Sequence, residues 1–311
     1  MSTTHFAHEA LLHAGDDGFL AGAMPFVLEG LGAGEPMLLV LSADKIDSIK
    51  DELNGDDGEG IIFADLAEVG ANPARIIPAW RRFLDEHGDG DRHVRGIGEP
   101  IANGRTPDEV VECQRHEALL NVALSDASAF RLLCPYDTDA VDDAVIDEAV
   151  RSHPFVIENG VRSSSPVFRG LSAIAEPFGD PLPAPPASVQ ELEFDAASLG
   201  NLRQLLTTRA ADAGLDATRA NDLVLAVNEV ASNSVLHGGG SGTLRVWMGT
   251  RWLVCEVVDP GEIRDPLAGR EEPGAEQNGG RGLWIANQVC DLVQVRTFET
   301  HNVVRLHLRR P

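Results

Sequence analysis

The amino-acid sequence predicts two α/β domains, a doubly wound parallel sheet followed by an α/β sandwich with an antiparallel sheet. Three observations lead to this fold class. Before residue 176, short apolar runs alternate with helical patterns, which is typical of a parallel sheet covered by helices. After residue 187, the order of helices and strands favours an antiparallel sheet. Between these two parts, residues 176–187 contain five prolines in twelve residues, a composition typical of an extended linker.

The predicted domains are therefore residues 1–175 and 188–311, joined by the linker 176–187. A chain of 311 residues is long for a single hydrophobic core. Its hydrophobic fraction of 43% and charged fraction of 24% are ordinary for globular proteins. The composition thus agrees with two folded domains rather than a disordered or fibrous chain.

In the first domain, four short apolar runs predict strands, and five segments with helical periodicity predict helices. Ser42 can cap the second helix, and Pro107 stands where a first-turn proline is tolerated. The predicted strands are 37–41, 61–65, 93–100 and 130–136, and the predicted helices lie near 17–32, 43–54, 73–87, 107–124 and 139–152.

The second domain is predicted to begin with a strand and two helices, the first helix capped by Ser198 and the second starting after Asp216. Two strands, a glycine-rich loop, a third helix and two final strands follow. The predicted strands are 189–194, 243–249, 252–259, 292–298 and 302–310, and the third helix is 282–291.

The charge distribution argues against nucleic acid or an anionic membrane as the main partner. The net charge is −24, with 13 basic and 33 acidic residues up to residue 187 and 12 basic and 16 acidic residues after it. No apolar run approaches the length of a membrane-spanning helix, and the first residues show no signal-peptide pattern. Four scattered cysteines without a Cys-x-x-Cys pair suggest reduced, structural thiols. These features together predict a cytoplasmic protein.

The segment NEVASNSVLHGGG (residues 228–240) places two polar side chains on one side of the second long helix. Glu229 and Asn233 are one turn apart, roughly opposite an apolar stripe. An ordinary amphipathic helix with a solvated polar face and a glycine stop remains an alternative on this segment alone. The apolar stripe consists of Leu223, Val224, Val227, Val230 and Ala231.

Two further segments supply what a nucleotide site needs. Asp259 ends an apolar strand and can accept a hydrogen bond from an exocyclic amine, and Gly261 follows it. Gly279, Gly280 and Gly282 open a helix, where backbone N–H groups and the helix dipole favour an anion. An amide oxygen suits Mg²⁺, and a carboxylate one turn away can deprotonate an attacking hydroxyl group. Each motif is weak alone, but their order and spacing predict a site for Mg-ATP.

The three segments NEVASNSVLHG, DPG and GGRGLW resemble the N, G1 and G2 boxes of the GHKL ATPases, in particular the RsbW-like anti-sigma-factor serine kinases. The resemblance covers residues 188–311 and implies a GHKL (Bergerat) α/β sandwich with ATP and Mg²⁺ as cofactors. It implies that Glu229 is the catalytic base, Asn233 the Mg²⁺ ligand and Asp259 the adenine contact. The nucleotide-binding residues that it implies are Gly261, Gly279, Gly280, Arg281, Gly282 and Leu283.

The resemblance also implies partners. In that family the kinase phosphorylates a serine of an antagonist protein of STAS fold, and the unphosphorylated antagonist displaces a bound sigma factor. The expected function is therefore a sensor-regulated anti-sigma factor with ATP-dependent protein serine kinase activity; a homodimer is expected only from the resemblance. Two departures predict weaker binding or a more mobile lid. Ile263 replaces the second glycine of the family pattern Asp-x-Gly-x-Gly, and the lid-like segment 262–277 is polar and lacks lysine.

Three other functions fit the sequence less well. A histidine kinase would need a phosphoacceptor histidine on a two-helix hairpin, but His116 lies inside the pattern of the first domain and no hairpin-length segment follows the linker. A non-catalytic switch gated by ATP or ADP is the main alternative, although the presence of both Glu229 and Asn233 favours catalysis. A metabolic ATP hydrolase would need a second substrate pocket that the sequence does not indicate.

The first domain lacks a P-loop, because neither Lys45 nor Lys50 follows a glycine. Its blocks HEALLHAGDDGFLAGAMPFVLEG, VRGIGEPI, CQRHEALLN and LLCPYDTDAVDDAVIDEAVRSHPFV resemble the MEDS (DcmR-type) sensory domain over about residues 5–170. The resemblance implies a RecA-like fold without an ATP site and recognition of a small organic ligand.

No residue-level ligand map accompanies this resemblance, so candidates for the sensory site come from position alone. Ligands of open α/β sheets gather near strand ends. The histidines at positions 5, 8 and 13 have no recognisable metal-ligand spacing, so a zinc site is not expected from them. The polar candidates near predicted strand ends are His8, Glu99, Glu117, Tyr136 and Asp137.

Overall fold

The computed structural model contains two compact units, Met1–Phe178 and Gly179–Pro311. The domain boundaries expected from the sequence stay a prediction. In the described ranges no helix is both long enough and apolar enough to cross a membrane. The structure describes residues 6–53, 60–88, 92–102, 104–174, 178–274 and 280–311.

The N-terminal unit contains a seven-stranded sheet in the order β3-β2-β4-β5-β1-β6-β7. Its strand pairs are parallel except the β6–β7 pair, so the predicted parallel sheet is confirmed with one antiparallel edge strand. The strands are β1 (Ala7–His13), β2 (Met37–Leu41), β3 (Ile61–Asp65), β4 (Val94–Gly98), β5 (Phe130–Asp137), β6 (Phe155–Glu158) and β7 (Val161–Ser164).

Three of these strands, β1, β6 and β7, were not predicted from the sequence. The β1 sequence AHEALLH interrupts its apolar residues with two histidines and a glutamate, so it shows no apolar run. Glu9 in β1 is nevertheless fully buried, because Arg162 and Arg131 donate to its carboxylate at 2.9 and 3.4 Å. The β7 sequence VRSS is exposed along its whole length and carries no alternating pattern. Tertiary contacts, rather than local pattern, make these segments strands.

Helices cover the N-terminal sheet, and the predicted first-turn position of Pro107 is confirmed. The α5 helix starts with a capping box between Thr106 and Glu109. Ser42 occupies the N-cap of α2 as predicted, but its side chain makes no capping bond and its backbone N–H donates to Glu99 at 2.8 Å. The helices are α1 (Gly15–Ala33), α2 (Ala43–Glu52), α3 (Leu66–Val69), α4 (Ile76–His87), α5 (Pro107–Ala123) and α6 (Asp143–Ser152), with 3₁₀ turns at Pro73–Arg75 and Gly170–Ile174.

The C-terminal unit is an α/β sandwich whose five-stranded sheet has the order β11-β12-β10-β9-β8, antiparallel throughout. Its helices pack on one face, where their apolar side chains form one core with strand residues such as Leu244, Cys255 and Leu306. This order of elements confirms the predicted fold. The elements are β8 (Gln190–Asp195), α7 (Leu199–Asp212), α8 (Ala217–His237), β9 (Ser241–Met248), β10 (Trp252–Asp259), α9 (Arg281–Val289), β11 (Leu292–Thr297) and β12 (Asn302–Arg309).

The opposite face of this sheet carries a row of charged residues in register across four strands. Glu191, Arg245, Glu256 and Arg305 are successive cross-strand partners. The buried Glu256 carboxylate accepts hydrogen bonds from Arg305 at 2.9 and 2.6 Å and from Arg245 at 3.1 Å. Arg305 also donates to the carbonyl of Pro183 at 2.8 Å. The central carboxylate is thus compensated by two guanidinium groups.

Glu256→Gln is expected to lower the free energy of unfolding by about 3–5 kcal/mol, because it leaves a buried guanidinium without its counter-charge. Glu191→Gln is the matched control. Glu191 belongs to the same row and accepts from Arg245 at 2.8 Å, but its side chain is 53% exposed. An exposed pair contributes about 0–1 kcal/mol. Urea unfolding of the full chain, monitored by tryptophan fluorescence, measures the free energy of unfolding of both variants. Equal effects in the two variants would contradict a structural role for the buried carboxylate.

Candidate functional site

The polar side of α8 meets the start of α9. Glu229 and Asn233 are both half-buried rather than solvated. A Cβ atom placed on Gly282, the second residue of α9, would lie 2.5 Å from Asn233 Nδ2 and 3.4 Å from Glu229 Cβ. Only a glycine lets the two helices approach this closely. The amide, the carboxylate and the first turn of α9 therefore share one small region.

The start of α9 has an open N-terminus. Gly280 is its N-cap with φ of +80°, and no side chain caps the helix. Within the described stretch 280–311, the first turn of α9 contains no acidic residue. Its N–H groups and helix dipole thus remain suited to an anion. The predicted residue Gly279 lies outside the described residues.

The remaining two predicted residues at this helix differ in exposure. Arg281, the first residue of α9, is exposed. Leu283 is half-buried and packs against the core, so only its backbone could face a bound anion.

Asp259 is held in a fixed position at the end of β10. It is 8% exposed, and its Oδ2 accepts a hydrogen bond from Ser234 at 2.7 Å. Its Oδ1 accepts from the backbone N–H of Gly261 at 2.8 Å and from Asn302 Nδ2 at 3.4 Å. A carboxylate offers about four acceptor positions, so these three donors leave room for one more.

Glycines crowd around this carboxylate. A Cβ atom on Gly238 would lie 2.5 Å from Asp259 Oδ1, and one on Gly261 would lie 2.7 Å from the same atom. Gly238 also ends α8, its N–H donating to the carbonyls of Asn233 and Ser234 at 3.2 and 2.9 Å. The glycines that follow α8 therefore allow the helix end and the Asp259 turn to touch.

Ser234 and Asn302 are two residues of this region that sequence reasoning missed. Ser234 is a buried hydroxyl on the otherwise apolar side of α8. Asn302 is the cross-strand partner of Asp259 in the β10–β12 ladder. Ser234 could have been identified from the sequence, because a polar residue within the apolar stripe of a helix is unusual. The signal for Asn302 required the strand register, which the sequence alone did not supply.

The described part of the lid-like segment, residues 262–274, is attached to its surroundings. The backbone N–H of Ile263 donates to Asn302 Oδ1 at 3.2 Å, and its side chain packs on the core. The carbonyl of Gly269 accepts from Asn287 Nδ2 at 2.9 Å. Gly269 has φ of +76°, and a Cβ atom there would lie 2.6 Å from Leu283 Cβ. Residues 275–277 of the segment lie outside the described residues.

In the N-terminal unit, a cavity of about 570 Å³ opens at the carboxyl ends of β1, β2, β4 and β5. Three of the five polar candidates, Glu99, Tyr136 and Asp137, line it. His8 and Glu117 do not. His8 is near the start of β1 and Glu117 is within α5, so the prediction that they lie at ligand-binding strand ends was wrong.

The acidic residues that line this cavity are already engaged by the protein. Glu99 accepts from Lys45 Nζ at 2.6 Å as well as from the N–H of Ser42. Asp137 accepts from the N–H groups of Gly15 and Asp139 at 3.0 and 3.1 Å. Burial alone would raise the pKa of Asp137, but these two donors hold the pKa below its ordinary value.

The N-terminal unit is thus an α/β domain with a cavity of about 570 Å³. The C-terminal unit is an α/β sandwich in which Glu229, Asn233 and the start of α9 lie close together. Residues 7–154 match the MEDS family model, described as the methanogen/methylotroph DcmR sensory domain. Residues 192–308 match the model of the histidine kinase-like ATPase domain. The chain thus combines an N-terminal MEDS sensory domain with a C-terminal histidine kinase-like ATPase domain.

Solved structures with similarity to this chain include two bacterial proteins. The RsbU and RsbW domains of Rv1364c from Mycobacterium tuberculosis match 40% of this chain with 18% identity and a TM-score of 0.31. The match covers 34% of that chain, so it spans about a third of its length. The Acinetobacter baumannii histidine kinase AdeS matches 39% of this chain, and 68% of its own, with 10% identity and a TM-score of 0.23. No curated protein matches the chain.

Proposed function

We propose that the C-terminal domain binds Mg-ATP and transfers the γ-phosphate to a serine of a partner protein. The observation that carries this proposal is the contact of Gly282 with Asn233 and Glu229, because it joins an anion site, a metal ligand and a base. In this proposal Glu229 is the catalytic base, Asn233 binds Mg²⁺ and Asp259 binds the adenine amine. The other nucleotide-binding residues are Gly261, Gly279, Gly280, Arg281, Gly282 and Leu283.

The phosphate end of the site is assigned to the start of α9. Its open N–H groups provide donors for phosphate oxygens, and the glycine at position 282 leaves space beside them. The amide oxygen of Asn233 suits Mg²⁺, which is usually held by one or two protein oxygens together with phosphates. When bound, Mg²⁺ supplies positive charge that offsets the charge of the phosphates.

In this proposal Glu229 receives the proton of the attacking serine hydroxyl. It is one turn from Asn233 on the same side of α8. As the serine oxygen forms its bond to phosphorus, the hydroxyl proton passes to the Glu229 carboxylate and the bond to the leaving diphosphate breaks. The products are a phosphoserine and ADP.

The adenine end of the site is assigned to Asp259. Its carboxylate is fixed by Ser234, Gly261 and Asn302, and the remaining acceptor position suits an exocyclic amine. Because the position of the carboxylate is set before a nucleotide binds, little ordering entropy would be lost on binding.

The proposed partners follow from the motif resemblance to RsbW-like proteins. They are a sigma factor, which the domain sequesters, and an antagonist of STAS fold, which it phosphorylates. The MEDS domain would bind a small organic molecule in its cavity of about 570 Å³, a volume in the range of ordinary ligand sites, and adjust the kinase.

The second candidate function is a non-catalytic switch in which ATP or ADP controls partner binding. The anchoring of residues 262–274 supports it. Ile263 is fixed to Asn302, and Gly269 is fixed to Asn287 on α9. A nucleotide at the start of α9 would therefore act directly on a segment of the surface that partners can contact.

Labelled ATP, Mg²⁺ and candidate STAS-domain proteins test the proposal in the full chain. Wild-type protein is expected to label one serine of a STAS partner, and Asn233→Ala is expected to lose labelling together with the Mg²⁺ dependence of ATP affinity. Asn228→Ala is the matched control, because Asn228 lies on α8 and faces Arg203 at 3.4 Å. Tight nucleotide binding without transfer to any partner would favour the switch. Absence of ATP and ADP binding in calorimetry would overturn both.

A further inference from the structure

Four side chains from four elements converge inside the N-terminal unit. They are His8 of β1, Glu117 of α5, Cys134 of β5 and His153, the C-cap of α6, and all four are buried. Their candidate ligand atoms all lie within 4.8 Å of one another. His8 Nε2 is 3.4 Å from Glu117 Oε2 and 3.4 Å from Cys134 Sγ, and His153 Nε2 is 3.2 Å from Glu117 Oε2.

The tautomer of His8 is fixed by Asn121. The amide nitrogen of Asn121 donates to the carbonyl of Ser152 at 2.8 Å, which leaves Oδ1 as the atom facing His8. His8 Nδ1 is 3.2 Å from that oxygen, which can only accept. Nδ1 of His8 therefore carries the hydrogen, and in the neutral ring Nε2 presents a lone pair to the cluster.

The tautomer of His153 is fixed in the same way by backbone. His153 Nδ1 is 2.8 Å from the carbonyl oxygen of Ala149 in α6. The Ser152 hydroxyl lies 3.1 Å from the same nitrogen, but it donates its hydrogen to the Ala149 carbonyl at 3.2 Å. Because a carbonyl only accepts, Nδ1 carries the hydrogen and Nε2 presents its lone pair. Metal-binding histidines commonly donate their second ring N–H to a carbonyl or carboxylate in this manner.

The cluster thus brings together several hydrogen-bond acceptors, the Nε2 atoms of the two histidines and the Glu117 carboxylate, with too few donors for all of them. Glu117 Oε2 and His153 Nε2 are buried and have no hydrogen-bond partner among the described residues. Unsatisfied buried polar atoms are costly, and a cation bound among these atoms would satisfy them.

We propose that His8, Glu117, Cys134 and His153 bind one divalent transition-metal ion, with Zn²⁺ as the preferred ion. Ligands at about 2.0–2.3 Å from a tetrahedral ion lie about 3.3–3.8 Å from one another. Three of the distances between the ligand atoms, at 3.2–3.4 Å, are close to this spacing, and all of the ligand atoms lie within 4.8 Å of one another. Two imidazoles, a sulfur and a carboxylate favour Zn²⁺ over Mg²⁺ or Ca²⁺, which prefer oxygen ligands.

The charges of the four ligands also fit a divalent ion. Cys134 is a free cysteine that is 1% exposed, and a thiol must lose its proton to become a metal ligand. On binding, the metal–sulfur bond forms and the thiol proton leaves to solvent. The thiolate and the Glu117 carboxylate then neutralise the two positive charges inside the domain.

The metal site lies next to the sensory cavity. Tyr136, two residues after Cys134 on β5, lines the cavity. The ring of Tyr136 contacts the ring of His153 edge-on, with 5.7 Å between centroids. An ion bound to His153 would therefore fix the position of the His153 ring, which packs against the cavity-lining Tyr136.

Metal content and Co²⁺ titration of the purified full chain test this proposal. One equivalent of metal is expected per chain after exposure to Zn²⁺, and Co²⁺ added to the chelator-treated protein is expected to give a thiolate-to-metal absorption band. Cys134→Ser should lose the band and about 100-fold or more in Zn²⁺ affinity. Cys113→Ser is the matched control, because Cys113 is equally buried on α5 and is outside the cluster.

Asn121→Leu separates the tautomer argument from general packing. Without the Asn121 acceptor, His8 can move its hydrogen to Nε2, and Zn²⁺ affinity should fall about 10–100-fold with the cobalt–thiolate band retained. Circular dichroism and the stability of each variant without metal show that the fold is kept. A wild-type protein that takes up less than one equivalent, or gives no thiolate band, would overturn the proposal even if a variant failed to fold. A band that persists in Cys134→Ser would do the same.

Discussion

Glu229→Gln is expected to lower the rate of phosphate transfer by about 10²–10⁴-fold and to leave the affinity for Mg-ATP nearly unchanged. Glutamine has almost the same shape as glutamate, so the contact with Gly282 and the neighbouring Asn233 is kept. Its amide cannot take the proton of the serine hydroxyl. The expected result is thus a loss of the chemical step alone.

Single-turnover transfer to a STAS partner and calorimetry of nucleotide binding give the two quantities separately. Asn228→Ala, next to Glu229 on α8, is the control and should transfer phosphate at the wild-type rate. Transfer at the wild-type rate in Glu229→Gln would show that this carboxylate is not the base. Equal losses of rate and of affinity would indicate a role in binding instead.

Much of the C-terminal site was predictable because its parts lie within short continuous segments. Glu229 and Asn233 are one turn apart on a helix whose apolar stripe is visible in the sequence, and Gly280 and Gly282 open the next helix. What the sequence does not give is the close approach of the two helices. That approach depends on a missing Cβ atom at Gly282, whose partner is about fifty positions earlier in the chain.

The buried half of the site was less predictable for a related reason. Ser234 and Asn302 fix the Asp259 carboxylate, but they belong to different elements that meet only in the folded sheet and helix layer. Sequence reasoning treated Ile263 as a lost glycine. Its backbone N–H donates to Asn302 Oδ1 and its side chain packs on the core, so the start of the lid-like segment is attached at this residue.

The N-terminal cluster shows where reasoning from local spacing stops. His5, His8 and His13 have no metal-ligand spacing, because a spacing pattern compares a residue only with its neighbours in the sequence. The structure instead groups His8 with Glu117, Cys134 and His153, which are each separated from it by more than a hundred residues. The strand that carries His8 was itself not predicted, because its polar residues hide its position in the interior of the sheet, between β5 and β6.

Gly282→Ala is expected to weaken Mg²⁺-dependent ATP binding, and Gly200→Ala is its matched control. Both glycines are the second residue of a helix, α9 and α7 respectively. A Cβ atom at position 282 would lie 2.5 Å from Asn233 Nδ2, whereas one at position 200 would have no atom within 4 Å. The first substitution must therefore displace Asn233, and the second meets open space.

Overpacking of this kind costs about 1–3 kcal/mol, and if the cost falls on the bound state the affinity for Mg-ATP falls about 5–150-fold. Gly200→Ala should keep the affinity and stabilise α7 by up to about 1 kcal/mol, because alanine is the better helix former. Calorimetry with ATP, with and without Mg²⁺, and urea unfolding of both variants separate binding from stability. If Gly282→Ala loses stability but binds Mg-ATP as tightly as the wild type, the start of α9 does not hold the triphosphate. A selective loss of the Mg²⁺-dependent part of the affinity is what the Asn233 assignment requires.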